Sequence, residues 1–412
     1  MAQIKDVLLD MNPWWKGEFG IEFKERELHK EIQKYLPLRQ IVAFTGLRRV
    51  GKTTLMLKIV EDEIKKGFNA RNILFFSFDE FKHIEIDELI KSYEDILEKD
   101  IRKDKCIIFL DEVQKLNDWE NKIKRIYDTF RNIKIIISGS ESLFIKSKSK
   151  AILAGRIFEF KVETLTFREF LHFKNFNYNP INLYKKELLK LFNEFTLTLG
   201  FPELVDIKEK EIIKKYVKES ILEKVIYNDI PKLFKIKDIS VLESLYNIFL
   251  EEPGQIIEIS KLANELNVSR QSISNYLKYL EDSFLIRKLY NYSKNKRKVE
   301  RKLKKYYPTV ISPDLLFRDD ILSKSKTFEW LIVNQLKAEF FWRDPYKNEV
   351  DIVKDEIPIE IKYGKTETKG ILSFMEKFKV NNGYIVSLDK EEKFKDKKIE
   401  IIPAFKFLIS NR

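Results

Sequence analysis

The sequence predicts an α/β fold, a P-loop parallel sheet with helices on both faces, and three observations predict it. Strand-like apolar runs at 41–44, 73–78, 107–110 and 134–137 alternate with helix-period stretches at 52–66, 86–97 and 119–130. Three of the runs end in glycine or polar residues, at the carboxyl ends where open parallel sheets bind ligands. The first such tip reads Gly46-Leu47-Arg48-Arg49-Val50-Gly51-Lys52-Thr53-Thr54, a complete phosphate-binding loop.

Each tip has its own chemistry. A strand that ends in a glycine-rich turn and feeds a helix aims backbone N–H groups and the positive helix end at a β-phosphate. Lys52 adds a point charge for the β and γ phosphates, and Thr53 a hydroxyl ligand for Mg²⁺, which makes ATP or GTP the first ligand to consider. The run at 107–110 leads into Asp111-Glu112, about sixty residues beyond the loop, as a Walker B element requires. Asp111 would hold Mg²⁺ through water, and Glu112 would orient and deprotonate the attacking water. Ser138-Gly139-Ser140 closes the next strand, suited either to touching the γ-phosphate or water or to capping a helix before Glu141. Arg156 is a candidate arginine finger, for its own or a neighbouring subunit's nucleotide, or else a surface ion pair.

The 412 residues are too many for one ordinary core, so several domains are expected. With 44% hydrophobic and 34% charged residues, the chain has material for cores and a heavily charged surface. Apolar runs of strand length and the lack of an apolar secretory core point to a cytoplasmic protein with no membrane partner. The single cysteine, Cys106, lies in an apolar run and reads as a buried thiol; His29, His83 and His172 lack the spacing of a zinc site. The net charge of +12 favours an anionic partner, although enrichment in Lys, Ile and Glu also resembles a high-temperature composition.

Residues 183–250 show helical periodicity and read as a lid or connector, broken by Pro253-Gly254. A helix-turn-helix pattern follows, with Leu262, Ala263, Val268, Ile273 and Leu277 at core positions and Ser269 as a cap. Arg270, Gln271, Ser272, Ser274 and Asn275 would stand at the start of the second helix, where base edges of double-stranded DNA are read, unless the helix pair packs against protein instead. The run 294–305 carries eight cations, Lys296, Arg297 and Lys298 among them, where the wing of a winged helix would grip phosphate; a solvated charged hairpin is the alternative. After Pro313 the expected order is a helix at 326–338, strands at 340–343, 349–353 and 357–363, a helix at 367–380 and a strand at 384–388. That order is similar to the PD-(D/E)XK nuclease core. Glu360 and Lys362 alternate with apolar residues and share a strand face; Asp351 and Glu329 would complete a set able to chelate Mg²⁺ or Mn²⁺ while Lys362 polarises water or phosphate. Whether Asp351 meets Glu360 depends on a hairpin register that the sequence leaves open.

Taken in order, Asn12-Pro13-Trp14-Trp15, the phosphate loop, Phe109-Leu110-Asp111-Glu112-Val113-Gln114 with Trp119, residues 137–142, Leu153-Ala154-Gly155-Arg156 and Thr166-Phe167-Arg168-Glu169-Phe170 resemble an archaeal AAA+-type ATPase family. The resemblance implies a P-loop domain (1–175), a helical lid (176–250), a winged helix (251–312) and a small α/β nuclease-like domain (313–412). It also implies Lys52, Thr53, Asp111 and Glu112 as ATP and Mg²⁺ residues, with Gln114 and Ser138 beside them. The chain departs from the family at Leu199-Gly200, where relatives carry two glycines. The expected function is ATP hydrolysis coupled to DNA binding or processing. The alternatives are a slow nucleotide-gated switch that binds a protein partner or a homo-oligomer, its nuclease-like domain inactive, and a sequence-specific transcription regulator.

Overall fold

The computed structural model describes residues 2–17, 19–79, 81, 84–140, 151–234, 236, 238–364, 367–394 and 399–410; His83, Glu141 and Ser142 lie outside them. The chain divides into two compact units, Met1–Glu163 and Thr164–Arg412.

The first unit is built on five parallel strands, β1 (Ile41–Thr45), β2 (Ile73–Ser77), β3 (Cys106–Asp111), β4 (Ile133–Gly139) and β5 (Ile157–Lys161), in the order β2-β3-β4-β1-β5. Every residue of β1 and β3 is buried, as their unbroken apolar runs require in a sheet covered on both faces. The helices Lys52–Lys65, Ile86–Leu97 and Trp119–Thr129 connect the strands, within a residue of the bounds their periodicity predicts. Strand β4 runs between β1 and β3, so its polar tip falls between the phosphate loop and Asp111-Glu112.

The free edge of β2 is covered by the N-terminal segment. Asn12 donates from Nδ2 to the Phe75 carbonyl (2.9 Å) and accepts the Phe75 N–H at Oδ1 (2.7 Å), so one side chain supplies the donor and acceptor of a missing strand. Trp14 and Trp15 both donate their indole N–H to the Ile73 carbonyl, at 3.1 and 2.8 Å.

The second unit holds one nine-stranded mixed sheet. Its strands are β6 (Gln255–Ile257), β7 (Ile286–Asn291), β8 (Lys304–Pro308), β9 (Phe340–Arg343), β10 (Glu349–Lys354), β11 (Ile357–Lys362), β12 (Gly383–Ser387), β13 (Glu392–Phe394) and β14 (Ile399–Pro403). They are ordered β13-β14-β12-β11-β10-β9-β7-β8-β6. A parallel β7–β9 pairing, Tyr290 beside Phe340, makes the sheet continuous across the division expected at 312/313. Strands β13 and β14 and the helix Ala404–Ser410 lie beyond the elements that the sequence predicts. The helices Ile259–Glu265 and Arg270–Asp282 meet through a short turn, with Leu262, Ala263, Ile273 and Leu277 buried and Ser269 Oγ accepting the Ser272 N–H at 3.0 Å. The connector is helical as expected, but Tyr216–Leu222 and Val225–Asp229 take the wider π form. Leu199 adopts φ 53° after the helix Lys185–Thr198, a left-handed conformation that explains why glycine would suit this position.

Candidate nucleotide-binding site

Gly46 leaves β1 at φ 147°, and a Cβ there would stand 2.1 Å from the Val162 carbonyl oxygen; glycine is required because the backbone following β5 passes so close. Leu47 and Val50 are buried and anchor the loop, Arg48 is half-buried, and Arg49 and Thr54 are exposed at its rim. Gly51, at φ 92°, turns the chain into the helix that begins at Lys52. Lys52, 5% exposed, donates from Nζ to the carbonyls of Gly46 (3.1 Å) and Leu47 (2.9 Å), so the loop curls around its own ammonium. Arg26 clasps the loop from outside: it donates to the Val50 carbonyl (3.1 Å) and, through its other terminal nitrogen, to that of Glu163 (2.9 Å). Arg26 belongs to no motif, and a lone arginine without a motif spacing carries no signal in the sequence.

The second tip closes on the first. Thr53 donates its hydroxyl to Asp111 Oδ2 at 2.8 Å. Ser138, fully buried at the end of β4, donates to Asp111 Oδ1 and accepts the Glu112 N–H at 3.3 Å. Glu112 lies in the left-handed region at φ 54°, an uncommon conformation for a side chain of this kind. Gln114 donates to Glu112 Oε2 and to Ser140 Oγ (3.0 Å), while its own Oε1 is buried without a hydrogen-bond partner. A hydroxyl and a carboxylate at this spacing are hard oxygen donors of the kind Mg²⁺ takes alongside substrate phosphates. The residues present therefore fit a Mg-nucleotide.

Arg156 is not brought to this crevice. Its carbonyl accepts the Ile41 N–H (2.7 Å) at the amino end of β1, the opposite end of the strand from the phosphate loop. Its guanidinium pairs with Asp128 (2.9 and 3.2 Å), which holds the Asp128 carboxyl below its ordinary pKa. An arginine finger acting on the chain's own nucleotide is thereby corrected to an ion pair, because the strand direction carries residue 156 away from the site.

In the second unit the residues suggested for DNA contact divide. Arg270 and Gln271 are exposed, whereas Ser272, Ser274 and Asn275 are half-buried and Asn275 accepts from Gln271 (2.9 Å). The basic run does not form a simple hairpin wing: Lys296–Arg301 is a short helix capped by Asn295, with Lys296, Arg297 and Lys298 exposed. Its last member, Lys305, is 5% exposed and faces inward. Lys305 Nζ lies 3.1 Å from Glu329, 2.9 Å from Glu349 and 3.9 Å from Asp351. Tyr307, two residues on along β8 and so on the same face, donates its hydroxyl to Glu329 (2.5 Å).

The antiparallel β10–β11 register sets Ile352 beside Ile359, which brings Asp351 to the level of Glu360. Asp351 Oδ2 accepts the Ile361 N–H (2.8 Å), and Lys362 pairs with Glu360 Oε1 (2.8 Å). Burial, Glu360 and Glu329 together push the Asp351 carboxyl well above the usual carboxylate range. Burial also raises Glu360, against the pull of Lys362. Burial alone would lower the pKa of Lys305; the acids around it reverse that and hold it charged. Glu329, Asp351, Glu360 and Lys362 thus meet as one cluster that also contains Lys305, Tyr307 and Glu349. Among the described residues no group of three or more His, Cys, Asp or Glu side chains is arranged to hold a metal ion.

The parallel sheet, the loop and the acidic strand end define a P-loop nucleotide-binding fold. In keeping with it, residues 38–171 match the model of a family described as an AAA domain, and residues 189–309 match a domain of unknown function, DUF8612. An AAA-type domain suggests ATPase activity. An uncharacterized protein of Methanocaldococcus jannaschii is 32% identical over 303 residues, covering 70% of this chain. This chain spans only 64% of that relative's length. A second uncharacterized protein of the same organism is 27% identical over 434 residues, covering 94% of this chain and 90% of its own. The crystal structure of Cdc6p from Pyrobaculum aerophilum aligns with 78% of this chain and 98% of its own at 12% identity and a TM-score of 0.32. No helix among the described residues is long and apolar enough to cross a membrane.

Proposed function

We propose that the protein hydrolyses ATP in the first unit and that its nucleotide state governs DNA binding by residues 251–312. The observation that carries the ATPase reading is the convergence on Asp111, where hydroxyls from the phosphate helix (Thr53) and from the middle strand (Ser138) hold one carboxylate. Bound Mg²⁺ would supply charge neutralisation at the phosphates. Lys52 would exchange its loop carbonyls for phosphate oxygens, Thr53 and Asp111 would hold the ion, and Glu112 would take the proton of the attacking water. Gln114 keeps the Glu112 carboxylate in place, and its unpartnered Oε1 is an acceptor for that water. Lys52→Ala and Glu112→Gln should each abolish phosphate release in a steady-state assay of purified protein. Normal turnover by Lys52→Ala would overturn the assignment.

The DNA reading draws on the helix pair 259–282, on strands β6 to β8 in winged-helix order, and on the exposed Arg270, Gln271, Lys296, Arg297 and Lys298. A second reading, a slow nucleotide-gated switch that binds a protein partner or a further copy of itself, is favoured by one observation. The PD-(D/E)XK-like cluster at Glu329, Asp351, Glu360 and Lys362 contains a buried lysine among its acids. Salt-insensitive, negligible DNA affinity with very slow basal hydrolysis would select that reading.

A further inference from the structure

We propose that Lys305 occupies the cation position of the carboxylate cluster in the second unit, so that the nuclease-like centre is closed to divalent metal by the chain's own ammonium. The oxygens account for this one by one. Glu329 Oε1 receives Lys305 and the Tyr307 hydroxyl, Glu349 Oε1 receives Lys305, Asp351 Oδ2 receives the Ile361 N–H, and Glu360 Oε1 receives Lys362. What remains is Glu329 Oε2, Glu349 Oε2, which faces Arg343 Nε at 3.6 Å, Asp351 Oδ1, which faces Lys305 at 3.9 Å, and Glu360 Oε2, which is buried without a partner. A divalent ion at these oxygens would sit against the ammonium groups of Lys305 and Lys362 and, on the Glu349 side, the Arg343 guanidinium, so the cationic place among the carboxylates is already filled.

The backbone of Lys305 is fixed as well, and the residue is 5% exposed. Its strand β8 is gripped on both edges, Lys305 lying beside Leu289 of β7 and Ile256 of β6, so withdrawing the side chain's backbone would break two strand pairings. The lysine therefore ties β8 to β10 and to the helix Ile321–Gln335, and the cluster serves as a charged staple inside the unit. This inference does not rest on the ATPase reading.

Titration of the full-length protein with Mn²⁺ in the absence of nucleotide, followed by the electron paramagnetic resonance of free Mn²⁺, tests it. Wild type and Asp351→Asn should give the same isotherm. Lys305→Met, checked for folding by circular dichroism, should gain one Mn²⁺ site per chain at least tenfold tighter than any in wild type, and adding Asp351→Asn should remove it. A Mn²⁺ site in wild type that Asp351→Asn abolishes would overturn the proposal, as would a folded Lys305→Met that gains none. If Lys305→Met does not fold, the wild-type and Asp351→Asn comparison decides alone.

Discussion

Gly46 closes the phosphate loop against the backbone that follows β5. Its φ of 147° and the Val162 carbonyl 2.1 Å from any added Cβ mean that Gly46→Ala must displace either the loop or the chain after β5. Such a clash with backbone should cost more than about 2 kcal/mol of stability, read as a lower midpoint in urea unfolding. An unchanged midpoint would show that the two segments do not approach in solution. The motif that names Gly46, Lys52, Thr53, Asp111 and Glu112 was legible in the sequence because its chemistry depends on spacing along the chain. Arg26 and Lys305 were not, for opposite reasons. Arg26 acts through Val50 and Glu163, contacts that no local pattern announces. Lys305 belongs to a run of cations that reads as solvated, and only pairing with β6 and β7 turns it inward.

At the scale of elements, the periodicity of helices and the apolar runs of buried strands fixed most boundaries of the first unit to within a residue or two. Strand pairing was less accessible. Asp351 and Glu360 are nine positions apart in sequence, and a slip of one residue in the β10–β11 register would have turned one of them to the other face. The Asn12-Pro13-Trp14-Trp15 segment gains its meaning only from the edge of β2 that it covers. Asn12→Ala removes both partners of Phe75, leaving a buried N–H and carbonyl unpaired, and should destabilise the fold by about 1–3 kcal/mol per unpaired group. Thermal unfolding would report it as a lowered Tm, and an unaltered Tm would mean that water replaces the amide without cost.

For the whole molecule, the +12 charge gives the DNA proposal its sharpest form. If Lys296, Arg297 and Lys298 grip phosphate, replacing all three with alanine should reduce the slope of log affinity against log salt by up to about 2.7 for duplex DNA, since each phosphate contact contributes about 0.9. An unchanged slope would assign the short basic helix to solvent. The division into two units, and the single sheet that unites strands β6 to β14, could not be read from the sequence, because composition shows no break at 163/164 and a parallel pairing such as β7–β9 joins segments some fifty residues apart.

The ATPase proposal requires the first unit to cradle a Mg-triphosphate between Lys52, Thr53 and Asp111. Calorimetric titration of a Mg-bound, slowly hydrolysed ATP analogue tests it most directly: wild type and Glu112→Gln should each bind one equivalent with similar affinity, and Lys52→Ala should bind at least a hundredfold more weakly. Equal affinity for all three proteins, or none for wild type, would contradict the account.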